Sequence, residues 1–286
     1  MANNIALQTL LAEALDKKLA ASAKTSRMEA NAAGVKYNGG NKFQFAKISF
    51  GDVDNLDYDR NEGYTNGSVV LEYETKTFKK DWGKSFSLDA MDVNESNFIT
   101  EATQVLDAFE KTVLAPAVDE FRFAEILALA EANTALGATV GTYTTGSTSG
   151  VLKGLRASIN TALTDTGLSE ADLVAYVSRT FYNDLTNDTN VQKVVNINGS
   201  SIDLNSNVKS VDGVELHVVD DARMAGIAYI VMDKKAPIAI VKHQVTRIVT
   251  PEENQNADAY KVNVRIYHTL EIKDNEYPAV VVMKNA

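Results

Sequence analysis

The chain has 286 residues, a net charge of −10 and no cysteine. Hydrophobic residues make up 45% of it and charged residues 23%, proportions that are typical of a globular chain and not of a disordered one. The absence of cysteine excludes disulfides, thiolate metal sites and cysteine nucleophiles. The acidic balance argues against a tight nucleic-acid binder.

The N-terminal segment is predicted to be an amphipathic arm. Its apolar residues follow helical spacing, at Ile5, Leu7, Leu10, Leu11, Ala14, Leu15 and Leu19. No basic residue precedes them, which argues against an export signal, and no apolar run in the chain reaches the length of a membrane span. The first 50 residues hold seven basic and three acidic side chains, which leaves −14 for the rest. A basic arm on an acidic body fits a contact with another copy, and a solvated helix of mixed charge fits equally well.

The stretch "DYDRNEGYTNG", Asp57 to Gly67, places carboxylates and an amide at alternate positions, as a calcium loop does. The calcium-loop pattern also needs glycine at the sixth position and glutamate at the twelfth, where this chain has Glu62 and Ser68. We therefore predict a cluster of turns here. A calcium-dependent surface or binding protein stays open as an alternative of a different class.

A long antiparallel hairpin is predicted next. Val70 to Lys79 alternate as a strand does, "KKDWGKS" with Gly83 is a candidate turn, and "SFSLDAM" is the return strand. A lone two-stranded hairpin is marginal in water, so its own core or a neighbouring subunit must cover it. Trp82 at the predicted tip suits a partner's pocket or folds back on its own hairpin. The candidate contacts with other subunits are Tyr73, Phe78, Lys79, Lys80, Trp82, Lys84 and Phe86.

A long helix is predicted from Asn94 to Asn133, with Pro116 kinking or dividing it. Its apolar residues recur at three- and four-residue steps, at Phe98, Ala102, Val105, Phe109, Val113, Ala117, Phe121, Ala124 and Ala128. Such a rod, roughly 57 Å long at 1.5 Å per residue, suits an elongated subunit better than a compact enzyme.

The second half mixes helices and strands without a regular repeat, which favours the α+β class. Gly137 to Gly150 is predicted to be a linker or exposed loop. "LKGLRASINTALTD" and "RTFYNDLTND" are predicted helices. "DLVAYVS", "VELHVVD", "IAYIVM", "PIAIVKH" and "AVVVMK" are predicted strands. From Val262 to Ile272 apolar and polar residues alternate strictly, as in a half-buried strand.

No catalytic signature is present, so we predict that the chain is not an enzyme and needs neither a cofactor nor a metal. The three histidines, His217, His243 and His268, each fall in a predicted strand without ligand spacing. His268 lies on the apolar face of its strand, which favours a hydrogen-bonded core or interface histidine. A hydrolase using paired carboxylates has no motif in its favour.

One region resembles the major capsid proteins of tailed phages, particularly phages of Gram-positive hosts. The resemblance is carried by "DYDRNEGY", the alternating strand after it, and "DWGKSFSLDAMDVNES" leading into the long helix. "LVAYVSRTFYNDL" and "VKSVDGVELHVVDD" are similar to later parts of that family. The resemblance covers the chain from about Asn41 to the C-terminus.

The resemblance implies the Johnson fold of these capsids, with five segments. These are an N-terminal arm at 1–48, an extended hairpin loop at 49–90, a peripheral domain with spine helix and linker at 91–150, an axial domain at 151–242, and the C-terminal strands of the peripheral domain at 243–286. It further implies a structural capsid protein that self-assembles through hexamers and pentamers into an icosahedral shell around phage DNA, without sequence-specific DNA binding.

The implied partners are other copies of the chain, a separate scaffolding protein and a portal, with no membrane. The implied location is the virion, after assembly in the host cytoplasm. An encapsulin-like nanocompartment shell, which shares the fold but houses enzymes, is the nearest alternative.

Overall fold

A computed structural model describes residues 23–37, 39–51, 60, 67–89, 91, 106, 108–147, 149–164, 166–189, 191 and 208–286. It confirms the α+β class. Three α-helices are present in this part of the chain: α1 Ala115–Ala132, α2 Val151–Leu163 and α3 Arg179–Asn187. The strands are β1 Lys36–Tyr37, β2 Lys42–Gly51, β3 Ser68–Thr77, β4 Lys80–Asp89, β5 Thr139–Tyr143, β6 Leu173–Ser178, β7 Ser210–Val211, β8 Val214–Val219, β9 Ile227–Asp233, β10 Pro237–Val249, β11 Ala259–Ile272 and β12 Val280–Asn285.

A six-stranded sheet of order β5-β12-β9-β6-β8-β7 forms the largest layer. Helix α1 packs on one face, where Phe123 and Ile126 join a core with β6, β9 and β12. Helices α2 and α3 cover the other face, through Leu155 and Phe181 among others. Because both faces are covered, every residue of β6 is buried, as expected of a continuous apolar strand in a three-layer arrangement.

A second sheet, of order β10-β11-β4, packs against the helical residues Leu106, Leu114, Ala115 and Val118. Strand β11 confirms the predicted apolar face, which is buried at Val262, Val264, Ile266, His268, Leu270 and Ile272. The predicted half-burial holds only as far as Tyr267, because Thr269 and Glu271 on the other face are buried as well. At the predicted break near Pro116, a π-helical turn, Glu110–Leu114, leads into α1. The hydrogen bonding changes there from π-helical to α-helical and the helix continues. The change coincides with Pro116, which has no N–H to donate to the preceding turn.

The predicted hairpin is wrong in its pairing. Strand β3 pairs antiparallel with β2, so the hairpin is formed by residues 42–51 and 68–77 and its connection lies at 52–67. Strand β4 pairs instead with β11. The predicted turn at Gly83 is a strand interior, and the chain turns between the sheets at Phe78 and Lys79.

The predicted linker at 137–150 is also partly wrong, because β5 lies within it and pairs in parallel with β12. Three other predictions fall outside the described residues. They are the amphipathic arm before Ala23, the calcium-like stretch apart from Arg60 and Gly67, and the start of the long helix before Leu106. The predicted segment boundaries stay predictions.

Candidate subunit interface

One face of the β2–β3 hairpin is apolar and exposed. The register places Ile48 opposite Leu71 and Phe50 opposite Val69, and directly opposed residues share a face. Their exposed fractions, with that of Tyr73 on the same face, are 52% for Ile48, 57% for Leu71, 66% for Phe50, 67% for Val69 and 46% for Tyr73. Such a contiguous patch of large apolar side chains indicates a contact surface.

The other face of the hairpin attaches its base to the body. Phe43 and Phe45 are buried in a cluster with Ile238 and Ile240 of β10, and the ring centroids of Phe43 and Phe78 lie 5.0 Å apart. Apolar packing therefore fixes the base of the hairpin, while the part nearer its connection keeps its apolar face open.

Polar contacts hold the middle of the hairpin at a fixed angle to the body. Lys47 Nζ lies 3.1 Å from Asp274 Oδ2, and the side-chain amide of Asn275 donates to the carbonyl of Ile48. The hydrogen bond that Lys47 donates to Asp274 raises the pKa of Lys47, and burial raises the pKa of Glu74 on the facing strand. The exposed patch is thus presented by an anchored projection.

Three solved structures share the arrangement of these elements. The capsid of the cyanophage P-SCSP1u is 14% identical with a TM-score of 0.62, over 88% of this chain and 85% of that one. The mature capsid of bacteriophage PhiM1 is 13% identical with a TM-score of 0.60, over 87% and 83%. A virus-like particle from Pyrococcus furiosus is 13% identical with a TM-score of 0.60, over 97% and 99%.

The chain has the tailed-phage capsid fold. No protein-family model and no curated protein sequence matches it. At 12–16% identity the likeness lies in the arrangement of the elements, which confirms the predicted fold.

Within this capsid fold, the predicted aromatic contacts face the chain's own core. Trp82 lies in mid-strand, with its ring centroid 5.0 Å from His268 and 6.1 Å from Phe121. Phe86 makes a T-shaped contact with Phe109 at 4.8 Å, and Phe78 is buried. Trp82 is therefore not at a hairpin tip, because β4 belongs to the sheet beneath the long helix.

The remaining predicted contact residues are Lys79, Lys80, Lys84 and Tyr73. Lys79 forms ion pairs with Glu125 and Glu271. Burial lowers the pKa of Lys79, but these carboxylates outweigh it and raise the pKa overall. Lys80 Nζ lies 5.6 Å from the ring centroid of Phe121. Lys84 and Tyr73 stay exposed, so of the seven predicted residues only Tyr73 belongs to the apolar patch.

The residues that sequence reasoning missed are Ile48, Phe50, Val69 and Leu71. The signal for them was present, because "KFQFAKISFG" and "SVVLEYETKT" both alternate as half-exposed strands do. The boundary predicted at residue 48 divides β2, so the predicted hairpin lacks this strand.

The described residues show neither a metal site nor a membrane-spanning helix. No group of three acidic or histidine side chains there could hold a metal ion. Within the same residues, no helix combines the length and apolar character needed to cross a membrane. His268 is buried between the rings of Trp82 and Phe121, with no hydrogen-bond partner among the described residues, so the predicted hydrogen bond is replaced by ring packing.

Proposed function

We propose that this chain is the major capsid protein of a tailed phage, a structural subunit that assembles into a closed shell. The observation that carries the proposal is the exposed apolar patch on the anchored hairpin, formed by Ile48, Phe50, Val69, Leu71 and Tyr73. Full burial of one large apolar side chain contributes about 1.5–3 kcal/mol, so burial of the exposed parts of these five side chains together can drive an association.

A second copy is the occupant that the geometry favours. The patch lies on a projection, and the proposal puts the surface that receives it on the body of the neighbouring copy, so that the contact joins unlike surfaces. Contacts of this type form rings when the rotation closes, and repeated rings of five and six can close a shell. The proposal assigns hexamers and pentamers to this contact, with the axial segment 151–242 at their centres.

The acidic charge fits a container for DNA. At −10 per copy, the wall would repel packaged DNA and let it move during packaging. A separate scaffolding protein and a portal complete the proposed set of partners, and assembly takes place in the host cytoplasm.

Electron microscopy of the purified full chain tests the proposal. We expect rings, sheets or shells for the natural sequence and their loss for Leu71→Lys, because a charge then replaces an apolar contact repeated around every ring. The matched control is Thr77→Lys, which adds the same charge at an exposed position of the same strand, beyond the apolar patch. A natural chain that stays monomeric in all conditions, or equal assembly of the two variants, would contradict the proposal.

A nanocompartment shell that houses enzymes is the second candidate. It is favoured by the Pyrococcus virus-like particle, which matches 97% of this chain over 99% of its own length. The nucleic acid content of shells isolated from the natural source separates the two candidates. DNA inside supports the phage capsid, whereas an enzyme without DNA supports the nanocompartment.

A calcium-dependent binding protein is the alternative from another class, and it rests on "DYDRNEGYTNG" alone. The melting temperature with calcium and with a chelator tests it. An unchanged value would dispose of this alternative, since a ligand that binds only the folded state raises the melting temperature.

A further inference from the structure

An apolar groove of about 360 Å³ runs between the long helix and the second sheet. Its apolar lining comes from both elements, namely Trp82, Phe109, Val113, Leu114, Val264 and Ile266. Val113 is half exposed, and Trp82 and Phe109 are partly exposed. The side chains of the described residues therefore leave this groove partly open.

The described chain begins beside this groove. Ala23, the first described residue, is buried in the same apolar cluster as Leu114, Val264 and Ile266. The backbone N–H groups of Lys24 and Thr25 both donate at 3.0 Å to the carboxylate of Asp119, which is fully buried on α1. Residues 23–25 are thus held against α1, beside the groove.

The distances allow those residues to reach the groove. Asp119 follows Val113 by six positions, which is about 9 Å along a helix axis. Three residues in extended form span about 10 Å, so residues 20–22 suffice to connect Ala23 to the groove. The apolar positions Ile5 to Leu19 would then lie within its reach.

We propose that this groove binds the apolar face of the N-terminal arm, residues 1–22, of the same chain. The arm's leucines supply the apolar surface that the groove lacks, and its charged residues, such as Glu13 and Lys17, stay in water. Binding within the same chain follows from the anchor at Asp119, which holds the arm at high effective concentration. The inference does not depend on the shell function, because it concerns a single copy.

Acrylamide quenching of Trp82 in the full chain tests the proposal. Trp82 is the only tryptophan and lines the groove, so its fluorescence reports whether the groove is covered. We expect Leu11→Asp to remove the protection of Trp82 from the quencher. The control Thr9→Asp adds the same charge on the opposite side of a helical arm and should leave the protection unchanged. Equal quenching in the two variants would overturn the proposal.

A double-mutant comparison shows whether the arm acts through the groove itself. Val113→Asp places a charge in the lining, and its control is Thr112→Asp at the adjacent exposed position. We expect Leu11→Asp to have no further effect on quenching in the Val113→Asp background and its full effect in the Thr112→Asp background. Additive effects in both backgrounds would contradict binding in this groove.

The occupant is identified with a nitroxide label, a short-range quencher of tryptophan. The chain has no cysteine, so Leu11→Cys introduces a unique attachment site. We expect the label to quench Trp82 of its own chain. In a mixture, labelled chains that carry Trp82→Phe should leave unlabelled chains unquenched. Quenching in the mixture would assign the groove to the arm of a second copy and overturn binding within the chain.

Discussion

Asp119 and Thr25 are joined by two hydrogen bonds although 94 residues separate them in the chain. One oxygen of the Asp119 carboxylate accepts from the backbone N–H of Thr25 at 3.0 Å and from its hydroxyl at 2.7 Å. The other oxygen accepts from the N–H of Lys24 and from Arg223 Nη1 at 3.1 Å. A fully buried carboxylate with four donors fixes the N-terminal segment to the long helix.

Removal of that carboxylate should destabilise the chain strongly. We expect Asp119→Ala to lower the free energy of unfolding by about 3–5 kcal/mol, because Arg223 loses its partner and buried donors are left unsatisfied. Urea denaturation measures the change. The control is Glu120→Ala, the adjacent residue, whose side chain is exposed and should cost far less. Similar costs for both variants would show that the buried contacts contribute little.

Gly137 provides a second test, because it ends the 3-10 helical turn Thr134–Leu136 that follows α1, with a backbone conformation that favours glycine. Its φ is +102°, and a Cβ there would lie 3.0 Å from Cγ and 3.2 Å from Cα of Pro278. We expect Gly137→Ala to destabilise the chain by more than the roughly 1–3 kcal/mol of a strained backbone alone. The control is Gly146→Ala, since Gly146 has a φ of +79° and open space around it. Equal losses in urea denaturation would rule out the contact with Pro278 as a cause.

Local patterns in the sequence predicted the elements whose periodicity is continuous. Strand β11 was found because its alternation runs unbroken from Val262 to Ile272. Helix α2 was predicted correctly because its apolar residues Leu155, Ile159 and Ala162 recur at three- and four-residue steps. Strand β6 was predicted correctly because it is a short, nearly continuous apolar run, as a strand buried on both faces is. An element that is buried on one face or on both needs apolar residues at regular positions, so such an element can be recognised from its sequence.

Strand partners could not be predicted in the same way. Strand β4 pairs with β11, which places Trp82 opposite Ile266 across 184 positions of sequence. No local pattern contains that information, and the nearer β3 was the natural but wrong partner. For the exposed patch, the alternation within β2 and within β3 can be read from the sequence, but the pairing that brings Ile48 opposite Leu71 cannot.

His268 should make the chain sensitive to acid. It is fully buried against Trp82 and Phe121, and burial, aided by the nearby charges of Arg122 and Lys80, lowers its pKa to about 3. In the unfolded chain its pKa is near 6.5. The unfolded state therefore binds more protons between these values, and the stability present above pH 6.5 is lost as the pH falls towards 3.

The size of this effect can be measured by substitution. Between pH 6.5 and pH 4.5 the histidine should account for about 2–3 kcal/mol of lost stability. Over the same pH interval, we expect the free energy of unfolding of His268→Leu to fall by about 2–3 kcal/mol less than that of the natural chain. The difference between the two proteins isolates the histidine from Glu271 and Glu276, whose pKa values burial raises and whose protonation acts in the opposite direction. Parallel pH profiles would contradict this role of His268.

Assembly of the proposed shell should depend on salt. Each copy carries a net charge of −10, so neighbouring copies repel. At 0.01 M salt this repulsion acts over about 30 Å, whereas at 0.15 M it is screened beyond about 8 Å and is therefore weaker between neighbouring copies. We expect the assembled fraction, measured by light scattering at fixed protein concentration, to rise between these two salt concentrations, which are too low to alter apolar burial appreciably. Glu253→Lys, at an exposed turn, reduces the repulsion and should weaken the salt dependence, whereas Glu253→Asp should not. If assembly were equal at both salt concentrations, or if both variants behaved alike, repulsion between copies would not control it.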